Sequence, residues 1–165
     1  MYEISKKRIK MNCDFDTSIT NIADDFYEAY SRCLKGKNPI VDEFNRTRYE
    51  VVNVPAIVNG AFAIELYIKS MSKAGKSKLK KMKHSIKDLL STLDQPIQDE
   101  IKKEVEPKLE IYQTYEDCLD GINNAFVFWR YIQTEKGFGF GLNDTLKVLP
   151  LFLNAIRTIA KRNNQ

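Results

Sequence analysis

The sequence predicts an all-α domain, an up-down helical bundle of about six helices. Three observations carry that prediction. Apolar residues recur at helical spacing nearly throughout the 165 residues. Glycine and proline cut the pattern into helix-length segments, at Gly36, Gly75, the Asp94–Pro96 turn, Pro107 and the Gly137–Gly141 loop. Composition, 43% hydrophobic against 29% charged, is that of a globular chain long enough to bury one sizeable core. The whole of 1–165 reads as a single domain, with 1–15 an irregular N-terminal arm.

The first helix begins at Thr17 or Ser18, either of which can cap it. Ile19, Ile22, Ala23, Phe26, Ala29, Tyr30 and Cys33 then form its apolar stripe, and Gly36 stops it. Residues 37–52 connect, with a short extended piece at "YEVVNV". The second helix starts at Pro55, where the missing N–H costs nothing, and stops at Gly75. The lysine-rich tract that follows reads as a loop. Ser85 caps the third helix, with Asp88 at the capping-box position and Ile86, Leu89, Leu90 and Leu93 inward. A short fourth helix covers 96–105. Pro107 opens the fifth, where Tyr112, Tyr115, Leu119, Ile122, Phe126, Trp129 and Gln133 alternate by threes and fours. Gly121 inside it costs about 1 kcal/mol relative to Ala and marks a place to break. The last helix runs from Asp144 to Arg162 with Pro150 inside it.

Several function classes are excluded. No apolar run reaches the roughly 18 residues of a membrane span. The basic "MYEISKKRIK" start lacks the apolar stretch of a secretion signal. Three scattered cysteines without a CxxC read as reduced thiols, so a cytoplasmic protein is expected. One histidine is too few for a His/Cys metal site, and neither metal nor cofactor is expected. "GFGFG" lacks the preceding strand and the Gly-Lys-Ser/Thr ending of a phosphate loop. Charge is uneven: +6 over 1–83 and −2 over 84–165. The basic half can attract an anionic partner, chiefly through Lys76, Lys78, Lys80, Lys81 and Lys83 as phosphate contacts.

One residue stands out. Glu65 lies in "PAIVNGAFAIELYIKSM", near the middle of an apolar arc of roughly 220° at 100° per residue. A buried carboxylate without a partner costs several kcal/mol or takes up a proton. Glu65 therefore needs a mate from another helix. Arg130 is the first choice because its guanidinium fork matches a carboxylate, and His84 the second. Tyr131 and Tyr67 can donate hydroxyls. The expected polar cleft is thus Glu65, Arg130, His84 and Tyr131. Such a pair can fix helix register or do chemistry, and the residues alone leave both open.

Three stretches together resemble the bacterial HEPN-like domain (higher eukaryotes and prokaryotes nucleotide-binding). They are "NGAFAIELYIKSM", "KHSIKDLLSTL" and "INNAFVFWRY", and the resemblance spans about 15–160. The group often shows an F-A-x-E-x-Y-x-K helix, an H-D-L helix start and a later W-R-Y. The resemblance implies a helical bundle, frequently a homodimer. Many such domains are metal-independent ribonucleases acting as toxins or antiviral effectors; others are inactive partners that bind nucleotides or proteins. An RNA or nucleotide ligand, an antitoxin or other protein partner and a defence or toxin–antitoxin setting follow as expectations.

The chain departs from the family in one respect. The ribonuclease motif places His four to six residues after Arg on a late helix. Here Arg130 is followed by Tyr-Ile-Gln-Thr-Glu, so Glu135 stands nearest the histidine's place. A carboxylate is a poorer base than imidazole for a ribose 2′-hydroxyl. The expectation is a catalytically degenerate module. The alternatives are an endoribonuclease using Arg130 with Glu135 or His84, and a dimerisation domain without ligand.

Overall fold

The computed structural model describes residues 17–35, 39–41, 43–44, 47–49, 53–74, 79, 84–130 and 141–163. Those residues form an all-α helical bundle with one small hairpin. In chain order they give α1 (Thr17–Lys35), β1 (Pro39–Val41), β2 (Thr47–Tyr49), α2 (Asn53–Met71), α3 (Ile86–Leu90), α4 (Gln95–Val105), α5 (Tyr115–Ile122), α6 (Ala125–Arg130) and α7 (Leu142–Asn163). A 3-10 turn, Glu106–Lys108, follows α4.

α2 is the centre. It packs against α1, α6 and α7, and Ala56, Ile57, Ala61, Ala63, Ile64, Tyr67 and Ile68 are fully or almost fully buried. Its sequence dictates this, since a helix apolar over most of its circumference must be covered on most sides. The contacts also give direction. Asp24 meets Tyr67, Phe26 meets Phe62, and Tyr30 meets Gly60, so α1 and α2 run antiparallel. Leu149 meets Gly60 and Asn163 meets Met71, so α7 runs along α2 in the same sense. At Gly60 the three helices approach closely. A Cβ there would lie 3.0 Å from both Leu149 and Tyr30 side chains.

Some boundaries differ from expectation. α2 begins at Asn53, with Pro55 as its third residue, still within the turn whose N–H groups lack helical partners. Before α2, Pro39 pairs with Tyr49 and Val41 with Thr47 in an antiparallel hairpin; of "YEVVNV", Tyr49 ends β2, Asn53 and Val54 are helical, and 50–52 lie outside the described residues. Leu79, inside the lysine tract, is buried in the core.

The fifth predicted helix is two helices. Pro107 belongs to the 3-10 turn, and α5 starts only at Tyr115. There Thr114 Oγ1 accepts the Asp117 N–H at 3.1 Å and donates to the Asp117 carboxylate at 2.7 Å. Glu116 and Asp117 put negative charge at the positive end of the helix dipole. Tyr112 is 74% exposed in the preceding loop and is no part of the seam. Tyr115, Leu119, Ile122, Phe126 and Trp129 are buried as predicted. The break comes at Asn123–Asn124, two residues beyond Gly121. α7 follows its prediction closely, with Leu149, Leu153, Ile156 and Ala160 buried.

Candidate functional site

Glu65 is 2% exposed, and among the described residues it is the one charged side chain that is buried. Two side chains hold it. Lys69, one turn further along α2, donates from Nζ to Oε1. His84, from the segment just before α3, places Nδ1 2.8 Å from Oε2. Both carboxylate oxygens are thereby engaged, which meets the requirement set by burial.

Sequence reasoning had put Arg130 first and His84 second as partners. The structure puts His84 on the carboxylate and adds Lys69, which that reasoning missed. The signal for Lys69 was present: Glu followed four residues later by Lys is the favourable order on a helix. Arg130 joins the cluster differently. Its Cζ lies 5.5 Å from the centre of the Phe126 ring, a cation–π placement. The His84 ring packs on that same ring, centroid to centroid 4.5 Å. The imidazole and the guanidinium are therefore no further apart than those two lengths laid end to end.

The ring between them is well anchored. Phe126 stacks on Phe62 at 4.9 Å, and Phe62 meets Phe26 edge-on at 4.6 Å. A ladder of three phenylalanines from α1, α2 and α6 thus runs out to the imidazole and the guanidinium. Each such pair adds about 0.5–1.5 kcal/mol beyond area burial, enough to fix the ring's orientation.

Other contacts secure the His84 segment. Ser85 Oγ accepts the Asp88 N–H at 3.2 Å, the cap the sequence predicts. After α3, Ser72 and Thr92 hydroxyls share a hydrogen at 2.7 Å, and Lys73 pairs with Asp94 at 2.5 Å. The end of α2 and the residues after α3 are stapled together, with His84 on the span between.

Exposure differs sharply within the cluster. The His84 side chain is 39% exposed and Arg130 is exposed, while Glu65 is sealed. A buried carboxylate on Nδ1 fixes the imidazole's orientation and makes Nε2 the nitrogen available for a ligand. An imidazole and a guanidinium packed on one aromatic ring, both reaching solvent, are groups that suit a phosphate or phosphodiester.

Tyr131, Glu135 and the lysines 76, 78, 80, 81 and 83 lie outside the described residues, as does the Gly137–Phe140 part of the glycine loop. Among the described residues, no group of three or more His, Cys, Asp or Glu could hold a metal ion. No described helix is long and apolar enough to cross a membrane. No protein-family model, no curated protein and no solved structure matches the chain.

Proposed function

We propose that this chain is a nucleotide- or RNA-associated helical module of HEPN-like type, with the Glu65–His84–Arg130 cluster as its phosphate-binding cleft. One observation supports this reading above the rest. A sealed carboxylate orients the chain's single imidazole against the same ring that carries a guanidinium. Ion pairs that only fix register need no exposed end, whereas the imidazole and the guanidinium here both reach solvent. Under this reading the lysines of 76–83, which immediately precede His84 in sequence, add nonspecific phosphate attraction.

The test is fluorescence anisotropy of a labelled single-stranded RNA, and separately of ATP, at low salt. Binding should weaken linearly in log affinity against log salt. His84→Ala and Arg130→Ala should each weaken it on the order of tenfold, the worth of one charge-assisted hydrogen bond. Absence of binding to either probe at low salt would remove the reading.

A second reading, a metal-independent endoribonuclease, is favoured by the Glu65–His84 pair itself. In that reaction His84 Nε2 takes the proton of a ribose 2′-hydroxyl. The freed oxygen attacks phosphorus, the 5′-oxygen leaves and takes a proton from water, and a 2′,3′-cyclic phosphate remains. Arg130 would steady the charge on the phosphoryl oxygens. RNA cleavage in excess chelator that His84→Ala abolishes supports it. Cleavage indifferent to both His84→Ala and Arg130→Ala would mean a contaminating nuclease. The homodimer and the antitoxin partner belong to the same proposal, and sedimentation of the purified chain reads the first of them.

A further inference from the structure

The break between α5 and α6 serves the site. Asn123 sits at that break and faces the start of α3. Its backbone oxygen accepts the Ile86 N–H at 3.1 Å. Its Oδ1 accepts the Lys87 N–H at 2.7 Å and the Ser85 hydroxyl at 3.1 Å. Ser85 Oγ in turn accepts the Asp88 N–H. An isolated helix leaves its first N–H groups without backbone partners. Here the first three, Ile86, Lys87 and Asp88, are all satisfied, two of them by the one residue that caps the end of α5.

α3 has five residues, far too few to hold helical shape unaided. Its geometry is borrowed from Asn123. His84 stands directly before the Ser85 cap, and Phe126 comes three residues after Asn123. One asparagine therefore ties the backbone beside the imidazole to the helix whose ring that imidazole rests on.

We propose that Asn123 is the positioning residue of this site, holding His84 so that Nδ1 meets Glu65 and the ring meets Phe126. The importance of that placement for ligand binding rests on the function proposed above; the placement itself does not.

The chain has one histidine and one tryptophan, so each gives a single set of ring signals in NMR. In the wild type the neutral imidazole should carry its proton on Nδ1, and its carbon-bound protons should be displaced by the Phe126 ring current. Asn123→Ala should shift these signals toward free-histidine values and mix the tautomers, while the Trp129 indole signal stays in place. Asn123→Asp keeps an acceptor at Oδ and should restore the wild-type signature. Wild-type imidazole signals in Asn123→Ala, or an Asp variant as disturbed as the Ala variant, would overturn the proposal. If Asn123→Ala fails to fold, hydrogen exchange of the wild type decides. A Lys87 amide protected well beyond its exposed neighbours supports the cap, and one exchanging like free chain overturns it. All of this is read without ligand, so a protein that binds no RNA sinks the functional reading and leaves this test intact. Where RNA does bind, Asn123→Ala should weaken it several-fold and Asn123→Asp should recover most of the loss.

Discussion

Two carboxylates in this bundle are each gripped by cations, and the grips differ in kind. Glu65 on α2 is 2% exposed and is held by Lys69 of its own helix and by the imidazole of His84. Asp24 on α1 is 32% exposed. It accepts the Tyr67 hydroxyl at 2.6 Å and forms ion pairs with the Lys161 ammonium at 3.0 Å and with Arg157 Nε at 3.4 Å. Arg157 also lies over the Tyr27 ring at 4.1 Å. The Asp24 cluster joins α1, α2 and α7 through a tyrosine hydroxyl, a lysine and an arginine, and it reads as a clasp among the long helices. The Glu65 cluster ends on a partly exposed imidazole, whose second ring nitrogen is left to face a ligand. Burial and partner type together, more than the presence of an ion pair, separate a structural contact from a candidate for chemistry.

The largest expected effect comes from stranding the sealed carboxylate. Lys69→Met combined with His84→Leu leaves Glu65 buried without a cation and should cost about 3–5 kcal/mol in urea unfolding. A loss below about 1 kcal/mol would mean that water reaches Glu65 and that the two clusters are alike. Next comes the clasp. Tyr67→Phe removes a hydroxyl donated to a charged group and should cost about 1–2 kcal/mol. A larger loss than from stranding Glu65 would invert the comparison.

The smallest effects are in pH dependence, and the first belongs to the clasp. Burial pushes the Asp24 carboxyl up, but the Tyr67 hydroxyl, Lys161 and Arg157 outweigh it and hold the group below its ordinary value of 3.8. Its folded form thus releases its proton more readily than the unfolded chain does. The stabilisation is present above pH 3.8 and is lost as pH falls through the lowered value. Asp24→Asn should flatten the acid limb of stability against pH. At the other end, burial and then Tyr27 push Tyr30 up to about 12, and burial and then Glu116 and Glu106 push Tyr115 up to about 12. Both keep their protons longer folded than unfolded, so their contribution is present below pH 10 and declines from there towards about 12. Tyr67 is raised further, by burial and then by Asp24. In a tyrosinate absorbance titration, one hydroxyl should ionise earlier in Asp24→Asn than in the wild type. An unchanged curve would break the Tyr67–Asp24 link.

The long elements were legible because a stripe of apolar residues at helical spacing has one way to be buried. Hence α1, α2 and α7 lie close to their predicted bounds, and the need of Glu65 for partners was readable from its apolar surroundings. What stayed hidden depended on contacts distant in sequence. Nothing in "INNAFVFWRY" says that Asn123 ends α5 to cap a helix that begins at Ile86. Periodicity alone placed Tyr112 on the seam, because it cannot register that Thr114 starts the helix two residues later. The choice of His84 over Arg130 was likewise set by which segment the Ser72–Thr92 and Asn123 contacts bring against α2. Lys69 is the exception, readable from its own helix and overlooked in favour of a distant arginine.

The missing side chain at position 60 links the two clusters mechanically. Because α1 and α7 both lean on α2 at that glycine, a bulky residue such as isoleucine there would act as a wedge driven between three beams. Prising α1 away would pull Asp24 from Tyr67 and Phe26 from Phe62 in the same movement. The clasp and the aromatic ladder beneath the imidazole thus share one fulcrum, and damage at Gly60 should be felt at both ends of the molecule's polar machinery.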